Sequence, residues 1–190
     1  MFAGEDKSFQ NYKCVRGNLN FAVIGHVEWI TFLEVDVLPK PGLISHATKS
    51  QEFPAGGGAV IARKLQELTN GEVHFFTALG SDFYGKQSYK IIENMGIKLH
   101  VAWRESPTRK GFSLIDSDGD RAITIIGDRI APTHNDDLDW NVLDKMDGIF
   151  ITAADIKLFE KSRIAKTLCT TPRVGLNIII DSGIFFDGLI

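Results

Sequence analysis

Short apolar runs stopped by glycine, interleaved with helical periodicities, constrain this chain more than any other feature of it. Phe21-Ala22-Val23-Ile24 ends at Gly25, and Val73 to Leu79 ends at Gly80. Ile97 to Trp103 and Ile149-Phe150-Ile151-Thr152 also read as strands. A continuous apolar run of strand length, without polar alternation, reads as a strand covered on both faces, as in parallel sheets. Between these runs, Ile61, Leu65 and Leu68 fall at i, i+4 and i+7 with Ala62 alongside, and Asn70-Gly71 supplies a stop. Tyr84, Ser88, Ile91, Ile92 and Met95 mark a second helix ending at Gly96. Strand, helix, strand, helix, strand in succession predicts right-handed crossovers on a mainly parallel sheet, so the expected class is α/β.

Two segments break this rhythm. Trp29 to Val37 alternates, as in a strand with one solvated face, and is stopped by Pro39, Pro41 and Gly42. Thr48 to Phe53 reads as a second short strand. Phe112 to Ile115 and Ala122 to Ile126 flank Asp118-Gly119, a hairpin turn signal. Further on, a short helix is expected to carry Leu138 and Val142, with Asp136 or Asp137 as its cap. Lys157 to Cys169 is expected to be helical up to Thr171-Pro172, and Ile178 to Ile180 to be a strand. Residues 1–20 are polar and mixed, so the organisation reads as a leader followed by one domain over 21–190.

A net charge of -3 and a pI near 5.9 offer no electrostatic basis for nucleic acid or an anionic membrane as partner. Cys14 and Cys169 stand far apart with no ligand spacing around them, which argues against a zinc site or a disulfide framework. No signal-peptide core or bilayer-length run is present, so the expectation is a cytoplasmic protein.

The strongest candidate site is Pro54-Ala55-Gly56-Gly57-Gly58-Ala59-Val60, three glycines running into a helix. Glycines in a row give up backbone entropy, which a chain accepts where something approaches the main chain closely or φ must be positive. The helix amino end adds unpaired N–H groups and partial positive charge, suited to an anion or a hydroxyl-rich ligand. A flexible turn before an ordinary helix is the competing explanation. The run lacks the spaced third glycine of a dinucleotide fingerprint, and Pro54-Ala55 does not read as a strand. Gly80-Ser81-Asp82-Phe83-Tyr84-Gly85-Lys86 approaches a phosphate-cradling loop, but Gln87 replaces the magnesium-holding hydroxyl and Asp82 puts a negative charge in the cradle. Asp116, Asp118 and Asp120 alternate as calcium ligands do, yet Arg121 and Gly127 occupy positions that such a loop reserves for Gly and Glu. The five histidines show no metal or triad spacing.

Four features together resemble the ribokinase family, the PfkB carbohydrate kinases. Val23-Ile24-Gly25 leads into a two-stranded excursion, and Gly56-Gly57 stands at a helix entry. Ala78-Leu79-Gly80-Ser81-Asp82-Phe83-Tyr84-Gly85 with Met95-Gly96-Ile97 is similar to the family's first signature. Pro107-Thr108-Arg109-Lys110-Gly111 and Asp118-Gly119-Asp120-Arg121 resemble its paired strands. The resemblance implies a three-layer, mainly parallel α/β fold with a small β-lid made by segments 29–53 and 107–127. It implies ATP-dependent phosphorylation of a sugar or nucleoside, with ATP and magnesium as cofactors and Gly56, Gly57 and Gly58 holding the acceptor through backbone amides. Glu28 would contact a hydroxyl and Lys110 would reach in from the neighbouring strand.

Departures from the family pattern are equally plain. Ile30 stands where an acceptor-binding Asp is expected, and Val60 where an Asn is expected. The Asp-Thr-x-Gly-Ala-Gly-Asp type of stretch, which supplies the anion hole and catalytic base, is not in the 190 residues. The resemblance therefore implies the acceptor side of a kinase, truncated near Asn177 and inactive as it stands, with no catalytic residue assigned. An unpaired sheet edge would favour a homodimer. The alternative is a non-catalytic ligand-binding or dimerisation module that keeps the lid and the glycine site.

Overall fold

The computed structural model describes residues 18–152 and the backbone of residues 174–177. The helix expected over 157–169, the strand expected at 178–180 and both cysteines lie outside the described residues.

Five parallel strands form the main sheet: β1 (Phe21–Ile24), β4 (Val73–Gly80), β5 (Lys98–Arg104), β8 (Gly148–Thr152) and β9 (Val174–Asn177), in the order β5-β4-β1-β8-β9. Alternation along each strand sends successive side chains to opposite faces, and both faces are covered. Val23, Phe75 and Leu79 pack under Ala59 and Ala62 of helix α1 (Gly57–Leu68) and Ile92 of helix α2 (Phe83–Asn94). On the other face Ala22, Ile24 and Phe76 meet Trp140, Leu143, Ile149 and Ile151. Each of the largest buried side chains contributes about 1.5–3 kcal/mol. Continuous apolar runs are thus what this two-sided burial requires.

A second sheet has the order β3-β2-β6-β7, built from β2 (Glu28–Val35), β3 (Ala47–Ala55), β6 (Lys110–Ile115) and β7 (Arg121–Ile126). Strands β2 and β3 pair antiparallel, as do β6 and β7, while β2 and β6 run parallel. Segments 29–53 and 107–127 therefore belong to one sheet. The β6–β7 turn forms as its Asp-Gly pair predicts, with Gly119 at φ +86 and the Asp116 carboxylate accepting from the Asp118 and Asp120 amides.

Three local expectations differ. Pro54-Ala55 is the end of strand β3, which is tolerated because β3 lies at an edge, where a missing N–H breaks no ladder. Strand β2 has no fully solvated face: Glu28, Trp29 and Ile30 are all buried, because the sheet meets the main domain at this end. The short helix is a 3-10 turn over Trp140–Lys145, begun at Asp139 with no side-chain cap. Asp136 caps nothing there, because its carboxylate is drawn into an ion pair with Arg104 at 2.6 Å and accepts from the Thr133 amide.

Candidate functional site

After β1 the chain passes to β4 and β5 on one side and then returns to β8 and β9 on the other. The direction reverses between β1 and β8, and ligands of open α/β sheets sit outside the carboxyl ends of strands at such a switch point. Gly25 and His26 follow β1 there, Thr152 ends β8, and the amino end of α1 closes the crevice.

The glycines of α1 are there for contact. Gly56 has φ +86, and a Cβ on it would stand 3.1 Å from the Glu28 nitrogen and from His26 Cδ2. One on Gly57 would stand 2.6 Å from Thr152 Oγ1, and one on Gly58 would press into the His26 carbonyl and the Phe75 ring at 2.8 Å. Gly25 is equally confined, by Thr152 Cγ2 at 2.7 Å and Gly58 Cα at 2.9 Å. The Gly56 cap has no side chain, and the first turn contains no acidic residue. The Gly57 and Gly58 amides therefore lack an intrahelical acceptor and a capping oxygen.

Glu28 sits beside this amino end with a largely buried carboxylate. Its Oε1 lies 3.3 Å from His26 Nε2 and 3.0 Å from Arg109 Nη1. Burial would raise the Glu28 carboxyl, but the hydrogen bond and charge of His26, with Arg109 and Arg129, outweigh it and hold the group below the ordinary carboxylate range. Among the described residues, His26 Nδ1, Arg109 Nε and Thr152 Oγ1 are buried without a hydrogen-bond partner.

The residues expected from sequence are thus placed as follows. Gly56, Gly57, Gly58 and Glu28 converge on His26. Lys110 stands apart, its ammonium 4.9 Å from the centroid of the Tyr84 ring on α2. Ile30 is buried, and Val60 points outward, half exposed. Sequence reasoning missed His26, Arg109 and Thr152. His26 directly follows the glycine that stops β1, Arg109 neighbours Lys110, and Thr152 ends an apolar run; position at a strand's carboxyl end was the available signal.

The phosphate-loop lookalike is closed. Asp82 Oδ1 accepts from the Gly85 amide at 2.9 Å and from Thr108 Oγ1 at 2.6 Å, while Oδ2 accepts from the Thr108 amide at 2.9 Å. Burial would raise the Asp82 carboxyl, but these bonds and the Lys110 charge lower it, so an anion already caps α2. A Cβ on Gly85 would run into the Gly80 carbonyl oxygen, so this glycine serves helix-to-strand packing.

A model of the pfkB family of carbohydrate kinases matches residues 18–166. Ribokinase of Arabidopsis thaliana is 26% identical over 171 residues, which cover 85% of this chain and 43% of that protein. The chain thus spans less than half the length of that curated relative. Among solved structures, ribokinase of Giardia lamblia superposes with a TM-score of 0.71 at 17% identity, covering 88% of this chain and 53% of the other. Arabidopsis thaliana ribokinase, complexed with ribose and ATP, gives 0.55 at 23% identity, covering 71% and 45%.

Proposed function

The chain belongs to the pfkB family of carbohydrate kinases, and from that premise we propose that it binds the alcohol acceptor of a sugar or nucleoside kinase at the amino end of α1. One observation carries this reading: Gly56, Gly57, Gly58, Glu28 and His26 meet at the switch point of the main sheet, beside uncapped helix amides. The Gly57 and Gly58 amides donate to acceptor oxygens, and Glu28, ionised at neutral pH, accepts from a hydroxyl. Lys110 enters only as an outer contact, since its ammonium lies over Tyr84.

ATP, with magnesium, is the phosphoryl donor we assign to the whole enzyme, supported by the ribose and ATP complex of the Arabidopsis protein. The phosphate-loop lookalike is not a site for that donor, because Asp82 fills the amino end of α2. What this chain's own residues do is bind and orient the acceptor.

A second reading, binding without phosphoryl transfer, is favoured by Val60 in the glycine motif. Calorimetry with D-ribose and a nucleoside panel, paired with a coupled ATP turnover assay, separates the two. Binding with turnover establishes a kinase, and binding without turnover the module. Absence of binding removes both. Cytoplasmic location belongs to the same proposal; no described helix is long and apolar enough to cross a membrane.

A further inference from the structure

Glu28 is held through one of its two oxygens. His26 Nε2, between β1 and β2, and Arg109 Nη1, just ahead of β6, both meet Oε1, at 3.3 and 3.0 Å. Neither ion pair engages Oε2, so the carboxylate keeps an oxygen able to accept from a hydroxyl while two partners restrain its rotation. Arg109 is itself anchored through its backbone. The preceding Thr108, 3% exposed, donates its amide and hydroxyl to the Asp82 carboxylate at the amino end of α2, at 2.9 and 2.6 Å. The Arg109 carbonyl accepts from the Trp29 amide at 2.9 Å. The guanidinium thus reaches Glu28 from a segment tied to both α2 and β2. The Arg109 side chain is 18% exposed and that of Glu28 12%, so little water stands ready to replace the ion pair. A carboxylate so enclosed tends to take up a proton when its cation is removed, and a protonated carboxyl has exchanged an acceptor for a donor.

Resting on the acceptor reading above, we propose that Arg109 is a positioning residue of the acceptor site: it holds Glu28 Oε1 so that Oε2 receives the acceptor hydroxyl, and does not itself touch the acceptor. Its charge serves the same end. Burial would raise the Glu28 carboxyl, and the hydrogen bond and charge of His26, with Arg109 and Arg129, oppose that rise. A double-mutant cycle read by calorimetry tests the proposal, with the 190-residue chain as parent and D-ribose and adenosine as probes. Arg109→Gln is expected to weaken the bound probe about tenfold in the parent and less than about twofold in Glu28→Gln, where no carboxylate is left to position. Arg109→Lys, which keeps a cation, is expected to recover part of the loss and serves the same cycle if Arg109→Gln does not fold. In carbon-detected NMR the Glu28 carboxyl, assigned by its absence from Glu28→Gln, is expected to titrate at higher pH in the Arg109 variant that lacks the charge than in the parent. Equal losses in both backgrounds, or an unmoved Glu28 titration, overturn this inference and leave the acceptor reading standing. Binding of neither probe by the parent overturns both.

Discussion

Replacing Gly57 with alanine sets two effects against each other at a single residue. Alanine favours a helix over glycine by about 1 kcal/mol. Its Cβ, however, would stand 2.6 Å from Thr152 Oγ1, and Thr152 is held by the end of β8. Overpacking of this kind costs about 1–3 kcal/mol. Gly57→Ala is therefore expected to lower stability by about 1–2 kcal/mol and to weaken acceptor binding strongly. Adding Thr152→Ala, which removes the obstructing atoms, is expected to recover stability, as a denaturant-unfolding double-mutant cycle would show. Additive losses would mean that the two residues do not press on one another.

Among the elements, α2 depends on Asp82 more than its sequence announces. The same carboxylate caps the helix and ties it to Thr108, just ahead of β6. Loss of an N-cap alone costs about 1–2 kcal/mol, and here the Thr108 amide and hydroxyl lose their acceptor as well. Asp82→Ala is expected to lower Tm by several degrees, at about 2–4 °C per kcal/mol for a chain of this size. Asp82→Asn keeps an oxygen for the Gly85 amide and is expected to lose less. Equal losses in the two variants would mean that charge, rather than the cap, carries the effect.

Across the whole molecule, Glu28, Asp82 and Asp136 join separate parts of the fold through carboxylates. Burial opposes ionisation in all three, yet hydrogen bonds and neighbouring cations hold their carboxyls below the ordinary range. A depressed folded pKa contributes stability that is present above the unfolded pKa, about 4, and is lost as pH falls through the lower folded value. Denaturant unfolding is thus expected to give constant contributions from these groups above about pH 5 and a fall below about pH 4. The fall should be shallower in Glu28→Gln. The second sheet ends in the edge strand β7, where Ile123 and Ile126 are about half exposed. We expect a homodimer through this sheet. Light scattering showing a monomer at high concentration would remove that expectation, and Ile123→Lys is expected to weaken the dimer.

What could be read from sequence alone was whatever depends on near neighbours or on repeated burial. Runs such as Val73 to Leu79 are continuously apolar because both faces of the main sheet are covered, and that pattern is visible without coordinates. Gly119 shows its turn because φ +86 favours glycine, and the three glycines of α1 show their site for the related reason that side chains would collide there. The chemistry of the site was decided by tertiary structure. Arg109 rather than Lys110 reaches Glu28, since the two neighbours diverge, one to the carboxylate and the other over Tyr84. Asp136 leaves its expected helix because Arg104, distant in sequence, pairs with it. Thr152 looks like the end of a strand until β8 is laid beside β1, and only then does its hydroxyl face Gly57. Local periodicity records which face of an element is buried; which ionised group meets which partner depends on strand order, and that is a property of the assembled sheet.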